Sequence, residues 1–102
     1  MMFTLEHIAD ILKPILEKQG IYKVTVFGSY ARDNATPASD IDLMVDSKGG
    51  LKGIEFFVAS DEISKALPIQ SDIYERREIK EGSALYDEIL REGIVIYDKQ
   101  GL

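Results

Sequence analysis

The chain has 102 residues, of which 45% are apolar and 29% charged, and its formal net charge is −6. This length and composition are typical of one globular domain, so we predict a single domain over residues 1–102. The chain has no cysteine and one histidine, His7, which excludes disulfide scaffolds and zinc sites built from cysteine or several histidines. The acidic balance disfavours tight non-specific binding to nucleic acid, because lysine and arginine supply most of that affinity.

The apolar runs and the first residues of the chain bear on localisation. The longest apolar run is far shorter than the roughly 20 residues that span a bilayer. Residues 1–7 lack the charged and then apolar layout of a signal peptide. We therefore predict a cytoplasmic protein that does not enter the membrane.

The first predicted element is an amphipathic helix. Apolar residues recur at the i, i+3, i+4 spacing of a helix over residues 5–16. Thr4 is a suitable N-cap, and Gly20 is suited to the left-handed conformation that often ends a helix. Pro14 lies inside the pattern and predicts that the helix is kinked or split there.

Two strands and a loop are predicted next. Residues 22–27 are β-branched and aromatic, which is typical of a strand. Residues 30–39 are small and polar, which predicts a loop with at most one helical turn at its start. Residues 41–45 predict a second strand whose two faces differ in chemistry. Ile41, Leu43 and Val45 share one face, and Asp40, Asp42 and Met44 share the other.

The second half of the chain predicts two further helices and two further strands. Residues 51–67 and 85–91 are predicted helical, whereas residues 69–74 and 94–97 are predicted strands and residues 75–82 a charged connection. Three apolar residues share one side of the longer helix: Ile54, Phe57 and Val58. The predicted order αββαβαβ favours the α+β class, with a small mixed sheet packed by helices.

Two aspartates lie two residues apart on the second predicted strand. Their side chains would leave the same face, with about 6–7 Å between them along the backbone, so Asp40 and Asp42 would repel each other. A divalent cation that prefers oxygen ligands, such as Mg²⁺, would offset this repulsion. A solvated strand face at a sheet edge is the more common origin of an isolated Asp-x-Asp pattern.

Gly28 and Ser29 follow the first strand and precede the predicted helical turn. Glycine at this position lets backbone N–H groups approach an anion closely, and Ser29 adds a hydroxyl donor. Taken alone, the pair is better explained as an ordinary turn that ends a strand. Together with two acids on the next strand, it indicates a site for phosphoryl chemistry.

The two segments also resemble a known family signature. Gly28-Ser29-Tyr30-Ala31-Arg32, followed at this spacing by Ser39-Asp40-Ile41-Asp42-Leu43, is similar to the signature of the minimal nucleotidyltransferases. These proteins belong to the DNA polymerase beta-like nucleotidyltransferase superfamily. The resemblance covers nearly the whole chain and implies the nucleotidyltransferase fold.

The resemblance implies a site made of three carboxylates. Asp40 and Asp42 would hold two Mg²⁺ ions. The third carboxylate of the family lies on the strand after the second helix, where Asp72 matches it and would complete the catalytic site. Asp61 and Glu75 are the alternatives for this third position.

The resemblance also implies a site for the nucleotide. Gly28, Ser29 and Arg32 would bind the triphosphate of ATP. The family usually has a glycine after the Ala-Arg pair, whereas this chain has Asp33. Aspartate tolerates the left-handed backbone better than most residues, but it adds negative charge near the incoming phosphates.

The activity implied by the resemblance is the Mg²⁺-dependent transfer of AMP from ATP onto a hydroxyl of a partner protein. In similar proteins the partner is a HEPN-type RNase toxin, which the transferase neutralises as an antitoxin by adding AMP to a tyrosine. One alternative is a non-catalytic module that neutralises its partner by contact alone. A weaker alternative is a sensor of a metal or a nucleotide.

Overall fold

The computed structural model describes residues 3–101, so residues 1, 2 and 102 of the predicted domain lie outside the described range. Within residues 3–101 the helices and strands are α1 (Leu5–Gln19), β1 (Lys23–Phe27), β2 (Ile41–Asp46), α2 (Ile54–Ala66), β3 (Ser71–Glu75), α3 (Ala84–Glu92) and β4 (Ile94–Asp98). Short 3₁₀ turns at Gly28–Tyr30 and Arg76–Glu78 follow β1 and β3. The predicted order of elements and the α+β class are confirmed.

The four strands form one mixed sheet in the order β3-β2-β1-β4. β1 and β2 are the two inner strands, and β1 is antiparallel to both β2 and β4. β2 and β3 are parallel, and α2 lies in the crossover that such a pair requires. β3 and β4 are therefore the two edge strands.

Helices cover both faces of the sheet. α1 and α2 pack on one face over the larger core, in which Leu12, Leu43 and Ile63 are buried. On the opposite face Ile89 of α3 packs with Phe27 of β1 in a smaller cluster. Because side chains alternate along a strand, the buried apolar residues of β1 and β2 fix which polar residues face α3.

The ends of α1 are the ones that the sequence predicts. The Thr4 hydroxyl accepts a hydrogen bond from the backbone N–H of His7 at 3.1 Å, and Gly20 ends the helix with φ of +69°. Of the kink or split predicted at Pro14, the split is wrong, because α1 continues through this residue. Pro14 is exposed, so the carbonyl that loses its usual donor can be hydrated instead.

Helix α2 begins three residues later than predicted. Leu51 is buried in the larger core, and its backbone N–H donates to the Ser47 hydroxyl at 3.2 Å. Gly53 then adopts φ of +55°, which is not helical, and α2 starts at Ile54. The buried residues of the helix are Ala59 and Ile63.

No helix within residues 3–101 combines the length and the apolar character needed to cross a membrane.

Candidate active site

The parallel pairing of β2 and β3 brings two of the predicted carboxylates together. Asp42 lies directly opposite Asp72 in the register of the two strands. Neighbouring strands are about 4.8 Å apart, so the two side chains leave the same face side by side. Asp40 comes one residue before β2 and is exposed, but its charge still acts on Asp42.

The pKa of Asp42 reflects its burial and the closeness of the other acids. Burial, followed by the negative charges of Asp72 and Asp40, raises the pKa of Asp42 from 3.8 to about 6. Asp72 can also share a proton with Asp42 through a side-chain hydrogen bond, and the charge of Glu88 in α3 adds to the shift. Each of these charged neighbours is acidic, so a cation at this position would be stabilised.

The carboxylates do not form a closed metal cage. Among residues 3–101, no three Asp, Glu or His side chains are arranged so that they could hold a metal ion on their own. Mg²⁺, however, is commonly held by one or two carboxylates together with substrate phosphates and water. The facing pair Asp42 and Asp72, with Asp40 nearby, has the oxygen ligands and the excess negative charge for that kind of site.

Gly28 is packed directly against this acidic pair. It follows β1 with φ of +76°, and a Cβ atom here would lie 2.3 Å from Oδ2 of Asp42. The backbone N–H groups of Ala31 and Arg32 both donate to the Gly28 carbonyl at 3.1 Å, which closes the 3₁₀ turn. A residue without a side chain is therefore required for the Asp42 carboxylate to occupy its place.

Arg32 is held by α3. Its guanidinium lies 3.1 Å from Glu92 and 3.8 Å from Glu88, two residues that are four apart on one side of that helix. The sequence analysis missed both glutamates, although their i, i+4 spacing is a signal for a shared helix side. The role predicted for Arg32 in binding the nucleotide stays a prediction.

Asp33 is the residue of the signature loop that departs from the family pattern. It is exposed and has φ of +60°. Asp33 thus adopts the left-handed backbone, which aspartate tolerates better than most residues.

The two alternatives to Asp72 as the third carboxylate, Asp61 and Glu75, lie away from Asp42. Asp61 is on α2 and forms an ion pair with Lys65 at 2.9 Å. Glu75 is buried and, three residues along β3 from Asp72, faces the opposite side of the sheet. Asp72 is therefore the acid of the three that lies beside Asp42.

Tyr74 is a further neighbour that the sequence analysis did not single out. Burial, followed by the charges of Asp42 and Asp72, raises the pKa of its phenol. Its ring packs on Phe27 with 5.6 Å between the centroids. Tyr74 thus forms an apolar wall beside the acidic pair, and its place two residues after Asp72 on the same strand face could have indicated this.

A mixed sheet of this order, with carboxylates on neighbouring strands beside a Gly-Ser turn, is the arrangement of a nucleotidyltransferase. The chain belongs to the family described as polymerase beta nucleotidyltransferases, because the model of that family matches residues 10–101. The predicted superfamily, fold and enzyme class are confirmed.

Individual relatives agree with this assignment. The chain is 31% identical over 99 residues to the protein adenylyltransferase MntA of Thermococcus cleftensis, covering 93% of this chain and 98% of that protein. Its fold is similar to that of a toxin–antitoxin with AMP-PNP, at a TM-score of 0.73 and 20% identity over 90% of this chain and 74% of the other. It is also similar to a chain in the complex of the tri-AMPylated Shewanella oneidensis HEPN toxin with MNT antitoxin, at a TM-score of 0.69 and 18% identity over 95% and 75% of the two chains.

Proposed function

We propose that this protein uses Mg²⁺ and ATP to transfer AMP onto a hydroxyl group of a partner protein. The observation that carries the proposal is the pairing of Asp42 with Asp72 across β2 and β3, directly beside Gly28. The protein adenylyltransferase name of a relative that covers nearly the whole chain supports the choice of reaction. The AMP-PNP present in a protein of similar fold supports ATP as the nucleotide.

Each residue has a proposed task in this reaction. Asp40, Asp42 and Asp72 would hold Mg²⁺, which when bound stabilises negative charge on the phosphates. Gly28, Ser29 and Arg32 would bind the triphosphate. The acceptor hydroxyl forms a new bond to the α-phosphorus, the bond to the β-phosphate breaks, and pyrophosphate leaves. The proton of the hydroxyl passes to a carboxylate, for which we propose Asp72.

The partner that we propose is a HEPN-type toxin, so that the protein acts as an antitoxin. Support comes from the complex of similar fold in which a HEPN toxin is AMPylated. The direct test incubates the protein with α-labelled ATP, Mg²⁺ and a purified HEPN-family toxin. We expect the label on a hydroxyl side chain of that protein. Neutralisation of the toxin without any label would instead support the alternative of inhibition by contact alone.

The Ser29→Ala substitution is expected to weaken ATP binding without abolishing it. One hydrogen bond from the hydroxyl to a charged phosphate contributes roughly 1.5–3 kcal/mol, which corresponds to roughly 10- to 150-fold in affinity. Calorimetric titration with Mg-ATP measures the loss. Ser64→Ala on the exposed side of α2 is the control and should bind like the wild type. Unchanged affinity in Ser29→Ala would remove Ser29 from the proposed site.

The Asp72→Asn substitution is expected to lower the rate of AMP transfer and to leave the affinity for ATP nearly unchanged. If Asp72 takes the acceptor proton, its loss should lower the transfer rate by roughly 10²-fold or more, the range of general-base contributions. ATP affinity should stay within roughly tenfold of the wild type, which is about 1.4 kcal/mol, since the other two acids and the triphosphate remain. Single-turnover transfer to the partner, with ATP titration and a melting curve, measures these quantities.

Two variants serve as controls for Asp72. Asp61 is exposed on α2, and Glu75 faces the opposite side of the sheet, so Asp61→Asn and Glu75→Gln should leave the transfer step itself unchanged at saturating partner. Full activity in Asp72→Asn, or a loss of the chemical step in either control, would place the third carboxylate elsewhere.

A further inference from the structure

The guanidinium of Arg32 is anchored to α3 through only one of its nitrogens. Nη1 donates a hydrogen bond to Oε2 of Glu92 at 3.1 Å and lies 3.8 Å from Oε2 of Glu88. Within residues 3–101, no hydrogen bond or ion pair engages Nε or Nη2 of Arg32. The guanidinium is a fixed fork of five N–H donors, and two parallel N–H bonds of that fork match a phosphate. The anchored side chain therefore keeps the donors that bind an anion.

The anchored guanidinium lies on the same side of the sheet as the acidic pair. Glu88 is near Arg32, and it is also close enough for its charge to act on Asp42. Burial is the main cause of the raised pKa of Asp42, and the charge of Glu88 is a smaller contribution. The backbone N–H of Arg32 donates to the carbonyl of Gly28, the residue that packs against Asp42. Arg32 thus lies between α3 and the turn where we propose that the triphosphate binds.

Glu92 has a more fixed position than the arginine that it contacts. A Cβ atom at Gly93, the next residue, would lie 2.7 Å from Cγ2 of Thr25, so the end of α3 is packed closely on β1. The side chain of Glu92 is 28% exposed, whereas that of Arg32 is 42% exposed. Oε1 of Glu92 lies 3.5 Å from Nη2 of Arg91, which leaves Oε2 to Arg32. A carboxylate on a packed helix can therefore set the position of a longer side chain on a loop.

The ion pair of Arg32 with Glu92 is expected to act on ligand binding more than on folding. Ion pairs between partly exposed side chains contribute little to stability, because hydration and side-chain entropy offset the attraction. A guanidinium that is already held in place loses less conformational entropy when an anion binds to it. The benefit of the pair therefore lies in the affinity for an anionic ligand.

We infer that Glu92 is a positioning residue, which holds the Arg32 guanidinium so that its Nε and Nη2 donors are directed to the triphosphate of the nucleotide. Glu88 lies beyond hydrogen-bond distance of Nη1, so it adds negative charge without fixing the orientation. This inference rests on the proposed function, which assigns the triphosphate to Gly28, Ser29 and Arg32.

Calorimetric titration with Mg-ATP tests the inference on variants of α3. Glu92→Ala should lower the affinity for Mg-ATP by roughly two- to tenfold, the effect of ordering one long side chain on binding. Glu92→Gln keeps an oxygen that can accept from Nη1 of Arg32, so it should lose less affinity than Glu92→Ala. Asp87→Ala is the matched control, because Asp87 is an exposed acid of α3 that has no ion pair among the described residues. It should bind Mg-ATP like the wild type, and melting curves should show that all three variants are folded.

A double-mutant cycle separates positioning from a purely structural role of Glu92. If Glu92 acts through Arg32, Glu92→Ala should weaken ATP binding in the wild-type background and have no further effect in Arg32→Ala. An equal loss in both backgrounds would show a structural role and overturn the inference. Unchanged affinity in Glu92→Ala would overturn it too. Tighter binding in Glu92→Ala would mean that Glu92 competes with the triphosphate for Arg32, which is the opposite of positioning.

The remaining outcomes distinguish this inference from the proposed function. If the wild type transfers AMP to a purified HEPN-family toxin but Arg32→Ala binds Mg-ATP as tightly as the wild type, the reaction stands and the inference fails. If Arg32 and Glu92 show the expected coupling in Mg-ATP binding but no AMP is transferred, the proposed reaction fails and the inference stands. If the wild type does not bind Mg-ATP, both fail.

Discussion

The Gly28→Val variant is expected to lose Mg-ATP binding by at least roughly 100-fold. A Cβ atom at this position would lie 2.3 Å from Oδ2 and 3.3 Å from Cγ of Asp42, so the carboxylate would have to leave its place beside Asp72. The φ of +76° adds a cost of roughly 1–2 kcal/mol for any residue with a side chain, and a β-branched residue tolerates it poorly. ATP titration with a parallel melting curve measures both effects.

Gly49→Val separates the strain of the backbone from the damage to the site. Gly49 has φ of +78°, nearly the same as Gly28, but a Cβ atom there would meet no atom of residues 3–101 within 4 Å. Both variants should therefore melt at lower temperature, and Gly49→Val should keep its ATP affinity. If Gly28→Val bound ATP as well as Gly49→Val, the role of Gly28 beside the acids would be wrong.

Local patterns predicted most of the fold. The caps of α1 at Thr4 and Gly20 depend on the backbone of a few neighbouring residues, and the structure has them where the sequence indicates. The alternation along β2 likewise buries Leu43 and turns Asp42 to the other face. Such features are decided within one element, so one sequence is sufficient to predict them.

Contacts between elements could not be predicted in the same way. The register that sets Asp42 opposite Asp72 joins residues 30 positions apart, and only the family resemblance pointed to it. The ion pairs of Arg32 with Glu88 and Glu92 depend on how α3 packs across the sheet. Local spacing gives the side of α3 that carries both glutamates, but not what that side meets.

The start of α2 shows a second limit of periodicity. Apolar residues at helical spacing include one set that faces the core, such as Ile63, and another that faces outward, such as Phe57. Both sets satisfy the same pattern, so the sequence alone does not tell a core side from an exposed apolar side. The predicted helix included Leu51 because this residue is apolar. In the structure Leu51 is buried in the core but belongs to the turn before α2.

The Asp42→Asn variant is expected to abolish measurable Mg²⁺-dependent ATP binding and to leave the fold intact. Asp42 faces Asp72 and lies against Gly28, so it is the central carboxylate of the proposed site. We expect the same loss of binding for Asp40→Asn. Asp61→Asn, which changes an exposed aspartate on α2, controls for the general effect of removing one negative charge. Wild-type affinity for Mg-ATP in Asp42→Asn would show that the proposed metal site is wrong.

The same variant makes a second prediction about stability in metal-free buffer. Burial, followed by the charges of Asp72 and Asp40, raises the pKa of Asp42 to about 6 in the folded protein from 3.8, the value expected in the unfolded chain, so the folded chain binds the proton more tightly. Ionised Asp42 therefore destabilises the fold above pH 6, and this cost disappears as the pH falls through 6 towards 4. Asp42→Asn should be more stable than the wild type by about 1–2 kcal/mol at pH 7.5, allowing for partial exposure of the carboxyl group. Urea unfolding with a chelator present at pH 7.5 and pH 4.5 should show this advantage shrink at the lower pH. An advantage that is equal at both values would mean that ionised Asp42 does not destabilise the metal-free protein.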